Sequence, residues 1–301
     1  MSSDARGDVE PVKYWNEVLA PKFIRFKHIL EGGLAHHSEA VFPNLPVKPG
    51  DTVLDLGCGF GDTTLKLARR VGPTGRVLGV DCCEAFLHYG AKAARQEALD
   101  NVIFVCSDIQ SMAFEPRYDF VFSRFGTLFF ANPVVALRNI RGAMKPGATL
   151  TQIVWRSPYD NPWVSIAKEV VLGFLPPVGE DSRSCGPGPF SMANQAMVTE
   201  MMTAAGYEDI AFERVDALVL VGKTLQEAID FQLAVGPASE VFREAGAVAD
   251  ERRAEIEAAL AEAITAQKKE AEGIVMESSS WVVSARNPAA PIGSGALERV
   301  T

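Results

Sequence analysis

The sequence predicts an α/β protein built on an open, mostly parallel sheet. Two observations carry that prediction. From residue 50 onward, short apolar runs at 53–56, 77–80, 102–106, 118–123 and 148–154 alternate with stretches of helical periodicity, the pattern of strand–helix–strand units in a parallel sheet. The first run ends abruptly in Gly57-Cys58-Gly59-Phe60-Gly61, a turn whose missing Cβ atoms let another group lie against the backbone. Strand, glycine turn and helix together mark the carboxyl edge where open sheets hold their ligands.

Ahead of this core lies a helical arm, residues 1–46. Its aromatic-rich pattern runs through Trp15, Val18, Leu19, Phe23, Phe26 and Leu30. Pro21 is placed to start a second helix. Gly32-Gly33 is expected to end that helix, and a third short segment over 34–42 carries His36 and His37. Pro43, Pro46 and Pro49-Gly50 then link the arm to the core. An amphipathic aromatic face needs an apolar partner, either the sheet or a site that the arm covers as a lid. Both readings stay open, and the lid is the expectation taken.

The core domain is expected over 47–288. After the glycine turn, Leu65, Leu67, Ala68 and Val71 set the pattern of a helix over 63–71. The second strand ends in Asp81, 20 residues beyond Gly61. A carboxylate there can accept from two ribose hydroxyls or cap the helix over 84–96; the spacing favours the ribose. The third strand runs into Ser107-Asp108-Ile109 and the fourth into Ser123-Arg124-Phe125-Gly126. A helix over 133–144 stops at Lys145-Pro146-Gly147, where proline cannot continue it and glycine suits the turn. Residues 156–190 form a first insertion, with a helix around Trp163 and a Pro/Gly-rich loop. Ser191 is expected to cap the Met-rich helix that follows. A sixth strand over 209–215 precedes a helical insertion at 224–272, whose surplus of acids reads as a solvated face. A last strand over 274–285 completes the sheet, and the tail 289–301 is expected to be disordered.

The glycine turn departs from the dinucleotide fingerprint, Gly-x-Gly-x-x-Gly, because its third glycine comes one residue early. Asp55 also stands just before the first glycine, where a carboxylate opposes a pyrophosphate but suits an ammonium group. A plain βα turn accounts for one or two glycines, not for the acid and three glycines together. The stretch resembles the first motif of class I S-adenosylmethionine (SAM) methyltransferases, whose ligand carries an ammonium, a carboxylate and a sulfonium. The resemblance covers residues 50–155, with Met-Lys-Pro-Gly-Ala at 144–148 where the family commonly has Leu-Lys-Pro-Gly-Gly. Phe129-Phe130, Asn161-Pro162-Trp163 and Gly188-Pro189-Phe190 look like a bacterial small-molecule branch related to the ubiquinone/menaquinone-type enzymes.

That resemblance implies a Rossmann-like sheet of seven strands in the order 3-2-1-4-5-7-6, the last antiparallel, with the arm and insertions as a roof. It implies SAM as cofactor and S-adenosylhomocysteine as product. Asp55, Gly57, Cys58, Gly59 and Gly61 would form the rim, with Asp81 and Cys82 at the ribose. Asp108 would accept from the adenine amino group, Ile109 would cover the ring, and Ser123 would face the sulfonium. Phe125, Trp163 and Trp15 would line the site of a small, partly hydrophobic acceptor. In-line transfer from a cationic leaving group needs mainly positioning and exclusion of water. A base helps only where the acceptor must lose a proton. His36 and His37 are the candidates, since histidine titrates near neutrality, although a structural role fits either as well.

Composition bounds the alternatives. Apolar residues make up 48% and charged residues 22%, with a net charge of −9; this fits a globular chain and opposes a phosphate-neutralising surface for nucleic acid. No apolar run reaches the ~20 residues of a membrane span, and the polar, acidic N-terminus is unlike a signal peptide, so residence in the cytoplasm is expected. The five cysteines are odd in number and include no Cys-x-x-Cys; no metal site is expected, and Cys58, Cys82, Cys83 and Cys106 read as small apolar filler at the rim. Expected partners are the small-molecule acceptor and a second copy of the chain in a homodimer. Two other functions stay open: a protein of this fold that binds SAM without turnover, and a nicotinamide-dependent oxidoreductase.

Overall fold

The computed structural model describes residues 11–115, 117–179, 186–270 and 273–288. Residues 1–10 and the expected tail 289–301 lie outside them. Seven strands form one sheet: β1 (Thr52–Leu56), β2 (Arg76–Asp81), β3 (Val102–Cys106), β4 (Tyr118–Arg124), β5 (Met144–Trp155), β6 (Glu208–Gly222) and β7 (Gly273–Arg286). Their order is 3-2-1-4-5-7-6. Strands β1 to β5 pair in parallel, and β7 runs antiparallel to both β5 and β6. A three-residue ladder, Lys268–Glu270, also pairs with β7, so the end of the second insertion is strand where a helical segment was expected.

The sheet core has a simple cause. Val53, Leu54, Leu56, Val80, Val121 and Phe122 are fully buried, as strands covered on both faces must be. Helices α2 (Asp62–Val71), α3 (Glu84–Gln96) and α4 (Pro133–Ala143) follow β1, β2 and β4. The apolar stripe of α2, Leu65, Leu67, Ala68 and Val71, is buried. Helix α5 (Pro162–Leu172) belongs to the first insertion and α6 (Gln195–Ala204) precedes β6. Helices α7 (Leu225–Ala234), α8 (Pro237–Ala245) and α9 (Arg253–Thr265) form the second insertion and pack with α5. No helix among the described residues is long and apolar enough to cross a membrane.

The arm differs from its expectation at one point. Residues 11–25 form short turns, with a π-helical stretch at Trp15–Leu19 and a new helix at Ala20–Arg25 around Pro21. The long helix α0 (Lys27–Val41) then runs unbroken through Gly32-Gly33. A Cβ on Gly33 would sit 3.0 Å from Val219 Cγ1 and 3.1 Å from the Leu220 carbonyl oxygen. The glycine therefore lets the helix press onto β6 rather than ending it. Phe26, Ile29, Leu30 and Val41 join the main core. A second correction concerns the cap of α6. Asn194 holds it, accepting from the Met197 N–H, while Ser191 Oγ donates to the Leu128 carbonyl. Strand β6 also runs well past residue 215, since both it and β7 continue pairing as far as Gly222 and Ile274.

Candidate active site

The sequence-predicted rim residues gather at the carboxyl ends of β1 to β4. Gly57, Gly59 and Gly61 all adopt left-handed φ, +61°, +53° and +85°, but for different reasons. A Cβ on Gly57 would meet Gly126 Cα at 2.6 Å, and one on Gly61 would meet the Phe104 ring at 2.8 Å and Gly90 Cα at 3.0 Å. Around Gly59 nothing lies within 4 Å of that position. Two glycines are thus required by the protein's own packing, and the third leaves an open cradle.

Three acids stand at or just beyond the carboxyl ends of β1, β2 and β3, and one of them, Asp81, binds the Gly59 N–H. Asp55 is fully buried. Its Oδ2 accepts from Thr63 Oγ1 at 2.8 Å and Thr64 Oγ1 at 2.7 Å, while Oδ1 has no partner. Burial pushes its pKa up to about 7, against the pull of the two threonine hydroxyls. Asp81, 9% exposed, accepts from the Gly59 N–H at 2.8 Å and the Cys83 N–H at 2.9 Å. Burial raises its pKa, and those backbone donors oppose the rise. The carboxylate therefore ties the glycine loop to the start of α3, and each oxygen keeps a further lone pair. Asp108 accepts from the Gln110 N–H at 2.9 Å. Next to it Ile109 is buried, and its carbonyl accepts from Asn139 Nδ2 at 2.9 Å.

Other predicted residues fall as follows. Cys58 is buried against Gly79, and its thiol pKa is raised by burial. The Cys82 carbonyl accepts from Asn16 Nδ2 of the arm at 2.9 Å. Ser123 is fully buried and donates to the Leu56 carbonyl at 2.8 Å, so its hydroxyl ties β4 to β1. Trp15 stands edge-on to Phe23 and Phe129, with centroids 5.2 and 5.0 Å apart. Together with Ala20, Phe23, Ile24, Phe60, Cys83 and Phe86 it forms a separate small cluster over the glycine loop. His36 faces solvent, and His37 is sealed in the interior.

The fold adds Trp155 and the Arg124–Asp62 pair to the predicted residues. Trp155, at the end of β5, stacks on Phe125 at 3.8 Å and 11° and lies 5.1 Å from Trp163. Phe125 itself has φ +60°, uncommon for a bulky residue. The Trp163 indole N–H is buried without a partner. Arg124 pairs with Asp62 through two bonds of 2.7 and 2.8 Å, and the pair is largely buried. Thr63-Thr64, in the first turn of the helix after an acid-glycine motif, was the readable signal for the support of Asp55. Outside the rim, a cleft of about 360 Å³ opens between α0, α2 and α3, lined by Lys27, Glu31, Phe60, Asp62, Tyr89 and Lys92 among others.

Residues 53–147 match the family model described as a methyltransferase domain. Over that span the chain is similar to methyltransferase domains. Over 160 residues it is 29% identical to the demethylmenaquinone methyltransferase of Staphylococcus aureus, a match that covers 52% of this chain and 65% of that protein. The chain thus spans less than two thirds of the length of the curated relatives it matches. Among solved structures, the fold is shared with the Haemonchus contortus phosphoethanolamine N-methyltransferase 2 bound to SAM, at 17% identity and TM-score 0.56, covering 94% of this chain and 61% of that one. It is shared also with the YcgJ protein of Bacillus subtilis, at 14% identity and TM-score 0.54, covering 85% of this chain and 100% of that one.

Proposed function

We propose that the chain transfers the methyl group of SAM to a small, partly apolar acceptor enclosed by the arm and the first insertion. The observation that carries this reading is the open cradle at Gly59 between buried carboxylates. The residues present fit the cofactor. The free Oδ1 of Asp55 matches an ammonium group, and Asp81 retains lone pairs for the two ribose hydroxyls. Asp108 would accept from the adenine amino group, with Ile109 against the ring. Gly57, Cys58 and Gly61 shape the rim; Cys82 and Ser123 hold the backbone around it.

Bound there, SAM supplies a methyl group on a cationic leaving group that needs no protonation. The chain's task is then to align the acceptor and keep water out. Phe125, Trp155 and Trp163 would form the acceptor wall, and residues 11–25 the lid, with Trp15 closing onto Phe129. Neither histidine is needed as a base in this reading. The similarity to the demethylmenaquinone methyltransferase of Staphylococcus aureus motivates aromatic ring acceptors as the first to try. Residence in the cytoplasm and a homodimer belong to the same proposal.

The test is incubation with methyl-labelled SAM and a panel containing 1-naphthol, reduced 1,4-naphthoquinone and aliphatic amines. Label is expected in a ring compound. SAM binding without label in any acceptor would favour the reading as a binding protein without turnover.

A further inference from the structure

Two neighbouring arm residues meet two neighbouring residues at the end of β4. Ser38 Oγ accepts from Arg124 Nη1 at 3.2 Å. The His37 ring stands edge-on to Phe125, with centroids 5.7 Å apart at 87°. On its other sides His37 reaches β7, where Ser278 and Ser280 point to the same face of the strand. Nε2 lies 2.8 Å from Ser278 Oγ, and Nδ1 lies 2.9 Å from Ser280 Oγ.

These contacts fix where the protons are. The Ser278 hydroxyl donates to the Ala217 carbonyl at 2.7 Å. A hydroxyl has one proton to give, so Ser278 can only accept from the ring, and Nε2 carries the hydrogen. Nδ1 of the neutral ring is then a lone pair, and Ser280 is its donor. Charged and titratable groups around the ring act in both directions: burial, His36 and Arg124 hold its pKa down, to about 4, and Asp216 opposes them.

A ring so placed is ill-suited to move protons, because it is fully buried and its one basic atom is already bonded. It is well suited to hold a surface. Trp155 lies edge-on to it at 5.1 Å and 89°, and Trp155 is the residue on which Phe125 stacks. Left-handed dihedrals persist at a bulky residue only where the surroundings over-determine them. The Phe125 N–H bond to the Ile153 carbonyl, 2.9 Å long, the Trp155 stack and the His37 edge are those surroundings.

We propose that His37 is a positioning residue: it holds Phe125 in its left-handed conformation, so that docking of α0 sets the shape of the acceptor wall. The consequence for catalysis rests on the methyl-transfer reading; the consequence for Phe125 does not.

The experiment uses the full chain in two arms. In the first, ¹⁵N-histidine NMR should show one histidine, absent from the His37→Gln spectrum, with Nε2 protonated and Nδ1 bare and unchanged between about pH 8 and pH 5, a window set by the ordinary histidine pKa. In His37→Gln, the ring signals of Phe125 should lose the shift that the stacked Trp155 induces. A histidine that titrates in that window, the opposite tautomer, or unchanged Phe125 signals would overturn the proposal. Ser280→Ala, which keeps the ring, should shift the Phe125 signals in the same direction if His37→Gln fails to fold, and unchanged signals there would overturn it too. In the second arm, with 1-naphthol as acceptor, His37→Gln and Phe125→Leu should each raise KM about five- to tenfold, and the double variant no more than the worse single, the non-additivity of coupled neighbours. Independent, multiplying effects would contradict the proposal, as would a kcat loss at unchanged KM that higher pH restores. No transfer by the wild type to any acceptor of the panel would sink the methyl-transfer reading and leave the NMR arm standing.

Discussion

Alanine at Gly59 should separate a cost to the fold from a cost to the ligand. At Gly57 and Gly61 an added Cβ would meet protein atoms at 2.6 and 2.8 Å. At Gly59 it meets none, and only the φ of +53° opposes it. That dihedral costs a non-glycine residue about 1–2 kcal/mol, which a domain of ordinary stability, about 5–15 kcal/mol, survives. At Gly61 the same dihedral cost is joined by overpacking against Phe104 and Gly90, about 1–3 kcal/mol more. Urea unfolding should therefore rank Gly59→Ala above Gly61→Ala in stability by that overpacking amount. The order for SAM should be severe at Gly59, where the methyl group occupies the proposed cradle: at least tenfold weaker, about 1.4 kcal/mol. Calorimetric titration of the same preparations reads it. A Gly59→Ala protein that loses the expected stability yet binds SAM as the wild type does would refute the cradle.

Asp55 gives a pH prediction. Its folded-state pKa is raised to about 7 by burial, so the folded chain holds this proton more tightly than the unfolded one. Its contribution is fully present below about pH 4, the ordinary carboxyl range, and is lost as pH rises through 7. Asp55→Asn should thus gain on the wild type between those limits in urea unfolding; a difference flat with pH would contradict the shift. Truncation separates the two halves of the arm. Deleting residues 1–42 removes Phe26, Ile29, Leu30 and Val41 from the main core; at about 1.5–3 kcal/mol each, that is comparable to the whole stability, so no folded protein is expected by circular dichroism. Deleting residues 1–25 spares those four, takes the cluster over Phe60 and Phe86 and the buried Tyr14 with its bond to Glu240, and should leave a folded chain with weakened SAM binding and no transfer; full activity would remove the lid. Asp62→Ala strands Arg124, whose side chain is 10% exposed, and should cost about 3 kcal/mol in unfolding experiments, the range for breaking a buried pair by one partner. A loss below about 1 kcal/mol would class the pair with surface bridges.

The alternation of strands and helices and the place of the glycine turn were legible because they rest on local signals, while the order of the strands in the sheet came from the family resemblance those signals carry. Apolar runs, a glycine turn and the acids Asp55, Asp81 and Asp108 at or just after the ends of the first three strands are readable within a few residues. What escaped depends on partners far away in the chain. Gly32-Gly33 reads as a helix stop until β6 supplies the atoms that need a bare backbone at Gly33. Asn194 outranks Ser191 as the cap because Ser191 is engaged by the Leu128 carbonyl. His36 and His37 look equivalent in sequence, but successive positions on a helix point about 100° apart, and only one faces the sheet. Trp155 gave no signal beyond its place just after the apolar run 148–154; its stack on Phe125 exists because two strand ends meet. The arm's long helix likewise became part of the core through the length of β6, which pairs on as far as Gly222.

The central claim is that the carboxyl ends of β1 to β4 hold SAM around Gly59, and a crystal structure with S-adenosylhomocysteine tests it most directly. The account predicts both ribose hydroxyls on Asp81, the adenine beside Asp108 and Ile109, and the amino-acid end along Gly59 with its ammonium toward Asp55. Ligand density in the cleft of Lys27, Tyr89 and Lys92 instead, with the Gly59 cradle empty, would contradict it.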